Sequence, residues 1–451
     1  MKAEYNGEGR KETLYFFVLN FFSKSITYFV LLVLANLFSL EVYGKATYAI
    51  SIFSLSILVL FVGIPETFIS WYVKKRNVTS VAYFLVFLSL FSVIFGLVFF
   101  WDFRWLYPLL FLLPFFLVKM MGDSFFRIHH KQHFVQVFGI LTMALYLAFL
   151  ILFKDMGETG IILAYSLAYF IVSIIVFLLL FGDFSRLFKG FKFNFVEIGR
   201  YLQKGYITAI VSVSFAILTW IDSSLLGLLS TYENVAKYNV SGSISAIIAI
   251  VPVAIGIFLL TRSAEIKDNN LTRSLLKRSI RLTVSISLFF SIIMISLISI
   301  VIKYLFSQYM GIEKFIVILS FGLIFAGVNH IIAMYYIGKL QPGFVLFPVL
   351  FAAILNIILD IFLIPLYGLY GITVATTVAH FSAMFIFLFK VKLLNYFIPV
   401  LIVSTLVILS FLLGYFGVLM ILPLVVLLFY LGLINRNDIN VMIQVARKIF
   451  K

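Results

Sequence analysis

The sequence contains no cysteine, and only 12% of its 451 residues are charged. The lack of cysteine excludes disulfides, thiolate metal sites and iron–sulfur clusters. A typical soluble domain carries about 25% charged residues and about 45–50% apolar ones, whereas this chain is 63% hydrophobic. A soluble fold of this length could not bury so much apolar surface, so the composition indicates a membrane protein.

The sequence also lacks the short segments of alternating polarity that a membrane β-barrel needs. Its apolar runs are about 20 residues long and continuous, which is the length of a transmembrane helix. We therefore expect an all-α polytopic membrane protein with about 14 transmembrane helices. The predicted spans lie near 14–36, 46–68, 81–100, 106–126, 134–153, 160–181, 206–229, 237–260, 281–302, 315–336, 343–364, 370–389, 394–413 and 415–434.

Lysine and arginine alternate between scarce and abundant in successive loops. With the N-terminus in the cytoplasm, 26 of the 34 lie on the cytoplasmic side, six lie on the opposite side, and Lys24 and Lys119 lie inside spans. This positive-inside pattern predicts a multi-pass protein of the cytoplasmic membrane with both termini cytoplasmic. The net charge of +16 then reflects topology and contact with anionic lipid, so nucleic acid is not an expected partner.

Motifs for chemistry are missing as well. There is no G-x-x-x-x-G-K-[ST] phosphate loop, no H-E-x-x-H zinc motif and no G-x-S-x-G elbow. The five histidines have no metal-ligand spacing, and every predicted loop is too short to fold as a domain. We predict no enzymatic activity, no catalytic residue, no metal site and no cofactor.

One twelve-residue segment occurs twice. GETGIILAYSLA at 157–168 and GLYGITVATTVA at 368–379 share five identities, and a weaker similarity relates 41–51 to 233–243. Both similarities map span n onto span n + 6, as in transporters built from parallel repeats; chance similarity between small-residue turns is the alternative. We predict two pseudo-symmetric six-helix bundles at 1–190 and 191–392, and two further helices with a cytoplasmic tail at 393–451.

Polar side chains inside the spans mark a candidate site, because a charge near the bilayer centre costs about 3 kcal/mol or more. Asn20, Lys24 and Thr27 share one face of the first span. We infer a water-filled cavity lined by the first and seventh spans, although a packing face satisfied within the protein is the alternative. The seventh span carries a polar stripe of Thr208, Ser212, Phe215, Thr219 and Asp222.

Three other intramembrane groups have simpler interpretations. Lys119 lies one turn before Asp123, so an intrahelical ion pair accounts for both. Asn356 and Asp360 are one turn apart in the eleventh span, and water at the membrane interface is an alternative partner for Asp360. His330 in the tenth span is expected to form an internal hydrogen bond.

The segment NIILDIFLIPLYGLYGITVATTVAH at 356–380 resembles the span-eleven-to-twelve signature of polysaccharide flippases of the O-antigen transporter type. These flippases are part of the multidrug/oligosaccharidyl-lipid/polysaccharide exporter superfamily. Ile372 and Thr373 replace the small pair of the motif, which describes structure more than substrate. The residues that fit it are Asn356, Leu359, Leu363, Ile364, Pro365, Tyr367, Gly368, Gly371, Ala375 and Thr376.

This resemblance implies a transporter that moves polyprenyl-pyrophosphate-linked oligosaccharide outward by alternating access. Its expected partners are the lipid-linked oligosaccharide, membrane lipids and glycan polymerase machinery, and its expected state is a monomer. Asp222 and Asp360 are the candidate sites for a coupling proton or Na⁺. The candidate substrate-binding residues are Lys24, which is best placed to meet a pyrophosphate, with Asn20, Lys119 and Thr219.

Two other functions remain open at this point. A multidrug or cation exporter of the same superfamily would need carboxylates in its substrate cavity, and the first span has a lysine and no acid. A membrane-embedded glycan polymerase or glycosyltransferase would be an enzyme, and the short loops argue against it.

Overall fold

The computed structural model describes residues 8–60, 79–99, 104–129, 131–189, 194–266 and 268–433, and these residues contain helices and no strand. Eleven of the described helical segments are long and apolar enough to cross a membrane. Phe22–Leu37 and Gly414–Tyr430 form shorter apolar helical stretches. A helix overlaps each of the fourteen predicted spans, and the predicted class, an all-α multi-pass membrane protein, is confirmed.

The chain divides into two compact units, Met1–Ala236 and Lys237–Lys451. The α-helices of the first unit are α1 (Glu8–Leu37), α2 (Leu40–Leu60), α3 (Thr79–Phe99), α4 (Tyr107–Ile128), α5 (Gln132–Leu152), α6 (Gly157–Leu179), α7 (Phe181–Leu187) and α8 (Phe195–Leu229). Helix α9 (Tyr232–Ser245) crosses the boundary. The second unit continues with α10 (Ile250–Glu265), α11 (Asn269–Leu305), α12 (Glu313–Gly338), α13 (Pro342–Tyr367), α14 (Leu369–Lys390), α15 (Phe397–Leu412) and α16 (Ile421–Tyr430).

In the first unit, α6 packs against α2, α4 and α5, while α1 packs on α5 and α3 on α4. Helix α8 also packs in this unit, mainly against α2 and also against α3. Because α8 is the seventh span, the compact unit extends beyond the boundary predicted near residue 190. The division into bundles at 1–190 and 191–392 therefore stays a prediction.

The second unit is organised around α12. This helix packs against α10, α11 and α14, and 72% of its most apolar 18-residue segment is buried. Helices α13 and α14 form a tight pair, and α15 packs on α11. At about 1.5 Å per residue, the 37 residues of α11 extend about 55 Å, which exceeds a hydrocarbon core about 30 Å thick. Its N-cap, Asp268, accepts hydrogen bonds from the backbone N–H groups of Asn270 and Leu271.

The repeated segment adopts the same corner in both units. Gly157 begins α6 with φ 59° and ψ −137°, and Gly368 precedes α14 with φ 54° and ψ −123°. Only glycine adopts such positive φ values without strain. A Cβ at Gly160 would collide with the carbonyl oxygen of Phe153, and one at Gly371 with that of Leu363. The matching alanines, Ala164 with Ala168 and Ala375 with Ala379, are all fully buried.

Candidate functional site

Lys24 lies on the side of α1 that faces away from its exposed phenylalanines. Phe22 and Phe29 are seven residues apart, share a face and are 58% and 52% exposed. Lys24 lies about 200° around the helix from Phe22 and shares its own face with Leu31, which is buried. The neighbouring Ser23 faces α5, where a Cβ at Gly139 would lie 3.5 Å from its hydroxyl oxygen. Lys24 therefore points away from the side of α1 that carries these phenylalanines.

On that side, the Lys24 side chain is nevertheless exposed. Its ammonium makes no ion pair or hydrogen bond with the described residues. Thr27, one turn further on, is also exposed, and its hydroxyl donates to the carbonyl of Ser23. The side chain of Asn20 lies outside the described part of the structure. The first span thus presents an accessible cation on the side opposite its exposed phenylalanines.

Lys119 forms the ion pair predicted from its spacing to Asp123. The lysine Nζ donates to Oδ2 of Asp123 over 2.8 Å, and the two side chains are 13% and 19% exposed. Lys119 lies about 2 Å from the midpoint of α4, at the depth of the bilayer centre. Within the described residues, Oδ1 of Asp123 is buried and has no hydrogen-bond partner. The carboxylate is therefore only half satisfied.

Aromatic rings surround this ion pair along the same face of α4. Phe116, one turn before Lys119, stacks on Tyr169 of α6 with ring centroids 5.4 Å apart. Phe126, one turn after Asp123, stacks on Phe138 of α5 at 5.5 Å. These contacts direct the ion pair toward α5 and α6, inside the first unit, and away from lipid.

The polar stripe predicted on the seventh span divides between two environments in α8. Asp222 is 2% exposed, so it does not face acyl chains. Thr219, one turn earlier, is exposed, and its hydroxyl donates to the carbonyl of Phe215 in its own helix. Ser212 and Phe215 are half-buried, and the side chain of Thr208 is not described. Thr219 remains accessible, whereas Asp222 is enclosed.

Helices α2 and α8 meet in a close seam that the sequence analysis did not identify. The hydroxyls of Ser51 and Ser224 are 2.8 Å apart and hydrogen-bonded in a buried position. A Cβ at Gly227 would collide with the ring of Tyr48, which lies 5.6 Å from the ring of Tyr232. By the predicted topology, this seam, consisting of Tyr48, Ser51, Ser224, Gly227 and Tyr232, extends from mid-membrane toward the external side.

The second unit contains a separate polar site on α13. Asn356 and Asp360 lie one turn apart, and both are fully buried. Interface water is therefore not the partner of Asp360, in contrast to the alternative considered from the sequence. Among the described residues, neither polar atom of the Asn356 amide has a hydrogen-bond partner. Burying such groups is costly, and the Asn356 amide oxygen and the Asp360 carboxylate are good ligands for a small hard cation.

Thr376 lies on α14, the helix that packs most closely against α13. Its hydroxyl donates to the carbonyl of Ile372 and lies 3.3 Å from the hydroxyl of Tyr238 on α9. Pro365 is exposed near the end of α13, where it precedes the Gly368 corner. The family-motif residues thus have two roles: Pro365, Gly368 and Gly371 form the corner, while Asn356 and Thr376 are buried polar groups.

The structure brings some predicted site residues together and leaves others apart. Lys119 contacts Asp123, and Asn356 neighbours Asp360, because both pairs are one helical turn apart. Lys24 has no hydrogen bond or ion pair with another predicted site residue among the described residues. Asp222 lies in the first unit and Asp360 in the second.

No protein-family model and no curated protein sequence matches the chain, but solved structures are similar to it. One is the lipid II flippase MurJ in an inward closed conformation, with a TM-score of 0.73 and 16% identity over 92% of this chain and 97% of that one. Another is an inward-facing multidrug resistance MATE family transporter of the MOP superfamily, with a TM-score of 0.65 and 13% identity over 86% and 96%. The MATE multidrug transporter DinF-BH matches with a TM-score of 0.59 and 17% identity over 88% and 98%.

At these identities the similarity shows the fold. The chain has the fold that MurJ and the MATE transporters share, and the superfamily stays a prediction from its sequence. The O-antigen type of flippase is not singled out by these structures and stays a prediction.

Proposed function

We propose that this protein is a flippase that moves polyprenyl-pyrophosphate-linked oligosaccharide across the cytoplasmic membrane by alternating access. The proposal combines the transporter-type fold with the polarity of the intramembrane groups. It describes a secondary transporter that performs no chemistry on its substrate.

The observation that carries this proposal is Lys24, an accessible cation that has no ion-pair partner among the described residues and lies opposite the exposed phenylalanines of α1. The other charges at membrane depth in the described first unit are Lys119 and Asp123, which neutralise each other, and Asp222, which is buried. The accessible charge is therefore positive. An ammonium is a compact partner for phosphate oxygens, so it fits a pyrophosphate better than an organic cation.

We further propose that Asp222 and Asp360 carry the coupling proton or Na⁺. Both carboxylates are almost completely buried, and a carboxylate at low dielectric is costly unless it is protonated or close to a cation. Asn356, next to Asp360 and without a hydrogen-bond partner in the described structure, offers an amide oxygen as an additional ligand. The two sites lie in different units, so we expect each site to bind its coupling ion separately, on the helix that carries it.

The α2–α8 seam supports alternating access. It joins spans that the sequence assigns to different bundles, in the half of the membrane that the topology assigns to the outside. Opening toward the outside requires the Ser51–Ser224 hydrogen bond and the contact of Tyr48 with Gly227 to separate. The hydrogen bond itself contributes about 1 kcal/mol, so it adds little to the cost of separating the packed helices.

A multidrug or cation exporter is the second candidate, and the similarity to MATE transporters favours it. Such a transporter would bind its substrate through an accessible carboxylate. In the described first unit, the carboxylates at membrane depth are either buried or already paired with lysine. We therefore rank export of an anionic lipid-linked sugar above export of a cation.

Complementation of a gene deletion tests the proposed function. Cells that lack the gene are expected to accumulate lipid-linked oligosaccharide, and the parent gene should clear it. Lys24→Ala should clear it at least about tenfold more slowly, since a lost charge-assisted phosphate contact costs about 1.5–3 kcal/mol. Lys24→Arg should retain more activity because it keeps the charge.

Lys154→Ala is the matched control, because Lys154 is an exposed lysine in a predicted external loop. It should clear the oligosaccharide at the parent's rate. If Lys24→Ala is present at normal abundance and clears the oligosaccharide as fast as Lys154→Ala, the phosphate role is wrong. If the deletion changes only resistance to organic cations, the exporter alternative replaces the flippase.

A further inference from the structure

The Lys119–Asp123 pair contributes little to the stability of the helix that carries it. An i,i+4 pair with the lysine on the N-terminal side is the less favourable order, and its gain is small even in water. Removing two charges from water costs far more than such a pair returns, and apolar side chains of similar size would serve α4 at least as well. Helix stability therefore does not explain why these two charges lie at the bilayer centre.

The geometry leaves the ion pair open to exchange. Lys119 donates to one carboxylate oxygen only, and the second oxygen, Oδ1 of Asp123, has no partner in the described structure. Both side chains keep part of their surface accessible, 13% for Lys119 and 19% for Asp123. An ammonium has three donors, so it can accept a new anion before it releases the old one.

The aromatic rings beside the pair offer no competing charge. Phe116 and Phe126 lie one turn on either side of it and stack on Tyr169 and Phe138. Among the described residues, the hydrogen-bond partner of the Lys119 ammonium is Asp123, and its remaining donors are open to what enters the accessible space. A pyrophosphate, which carries more charge and more acceptor oxygens than a carboxylate, would be the stronger partner.

We propose that Asp123 is a displaceable counterion: it neutralises Lys119 in the empty transporter and gives way to the substrate's pyrophosphate. This inference rests on the proposed function and makes Asp123 a positioning residue that acts through Lys119. Binding the substrate releases the carboxylate but leaves it close to the new anion. The repulsion between the carboxylate and the pyrophosphate weakens binding and speeds release of the substrate. A transporter must release its substrate as well as bind it.

The same arrangement favours substrates of high charge density. A singly charged lipid headgroup gains little by replacing a carboxylate that is already bonded to Lys119. A pyrophosphate gains more binding free energy, because it carries more negative charge than the Asp123 carboxylate that it replaces. Asp123 therefore sets a minimum charge density for an anion that binds Lys119, and the bulk phospholipids around the protein do not reach it.

Equilibrium binding of farnesyl pyrophosphate to the purified full-length protein in nanodiscs tests the inference. Asp123→Asn is expected to bind about five- to tenfold more tightly than the parent, since it removes the competitor for Lys119. In transport it should lower KM and also lower kcat, because release becomes slower. In a Lys119→Gln background, Asp123→Asn should change the affinity less than twofold, since the effect acts through the lysine.

Glu158→Gln is the matched control. Glu158 lies at the N-terminal end of α6 and pairs with Lys45 over 2.6 Å. Replacing its carboxylate should leave the affinity for farnesyl pyrophosphate unchanged. A structural role for Asp123 would lower thermal stability and leave the affinity the same or weaker, and that result overturns the inference. If the parent binds but Asp123→Asn binds no more tightly, only the counterion role fails. If the parent does not bind farnesyl pyrophosphate at all, the proposed function fails together with it.

Discussion

The α2–α8 seam can be locked by a disulfide, which tests whether it must open during transport. Ser51 and Ser224 have hydroxyl oxygens 2.8 Å apart. A disulfide needs sulfurs about 2.05 Å apart, and the longer C–S bonds of cysteine bring the two atoms closer than the oxygens. The double variant Ser51→Cys/Ser224→Cys therefore places two thiols close together, and an added oxidant is expected to join them in a disulfide. The native chain has no cysteine, so no other disulfide can form.

The expected effect follows from the energies of the two states. The serine hydrogen bond favours the closed seam by only about 1 kcal/mol, roughly a factor of five, in addition to the packing of the two helices. A covalent bond cannot open on the timescale of transport. The oxidised double variant should show background transport of lipid-linked oligosaccharide, and a reductant should restore the parent's rate.

Two measurements complete this test. The cross-linked fraction is quantified by mass spectrometry of the intact protein, and the single variants Ser51→Cys and Ser224→Cys serve as controls that should transport normally under oxidant. If fully cross-linked protein transports at the parent's rate, the seam does not open and the reasoning is refuted. If the disulfide does not form, the proximity of Ser51 and Ser224 is wrong.

Two other predictions concern the second unit. Asp360→Asn should strongly reduce the dependence of transport on Na⁺ or on pH, whichever the parent shows, because an amide takes up no proton and binds Na⁺ more weakly than a carboxylate; an unchanged ion dependence in an active variant would contradict this role. Gly371→Ala should lower the free energy of unfolding by about 1–3 kcal/mol, because its Cβ would meet a backbone carbonyl that cannot move freely. Gly343→Ala, where a Cβ meets nothing within 4 Å, should be neutral or slightly stabilising. Thermal denaturation measures both variants, and an equal loss of stability in the two would contradict the steric argument.

The fold was predictable because a bilayer imposes strong constraints on sequence. Continuous apolar runs, their lengths and the distribution of lysine and arginine define helices without any knowledge of packing. The repeated glycine corner was also predictable, because the turn geometry at Gly157 and Gly368 depends on local backbone conformation. The position of the compact-unit boundary was not, because it depends on how α8 packs against α2.

The candidate site was predictable where its contacts are local. Lys119 and Asp123 meet because they are one turn apart, and the same holds for Asn356 and Asp360. The burial of Asp360 was left open by the sequence, because it results from packing of the second unit, whereas its position near a predicted helix end also allowed water as its partner.

The α2–α8 seam could not be predicted, because its hydroxyl pair joins residues 173 positions apart. Its side chains are serine, glycine and tyrosine, which are common in membrane helices and have no distinctive spacing. The sequence feature that corresponds to this seam is a glycine, Gly227, that packs against an aromatic ring, Tyr48. This feature indicates a contact only when the two helices are already known to be neighbours.

The most direct test of the central claim is the leaflet distribution of a polyprenyl-pyrophosphate-linked oligosaccharide in proteoliposomes that contain only this protein. A lectin or glycosidase added outside reports how much of the sugar has crossed. The account predicts that the parent transfers the sugar across the bilayer and that Lys24→Ala transfers at least about tenfold less per unit time. Equal transfer by empty liposomes and by the parent, under both a proton and a Na⁺ gradient, would contradict it.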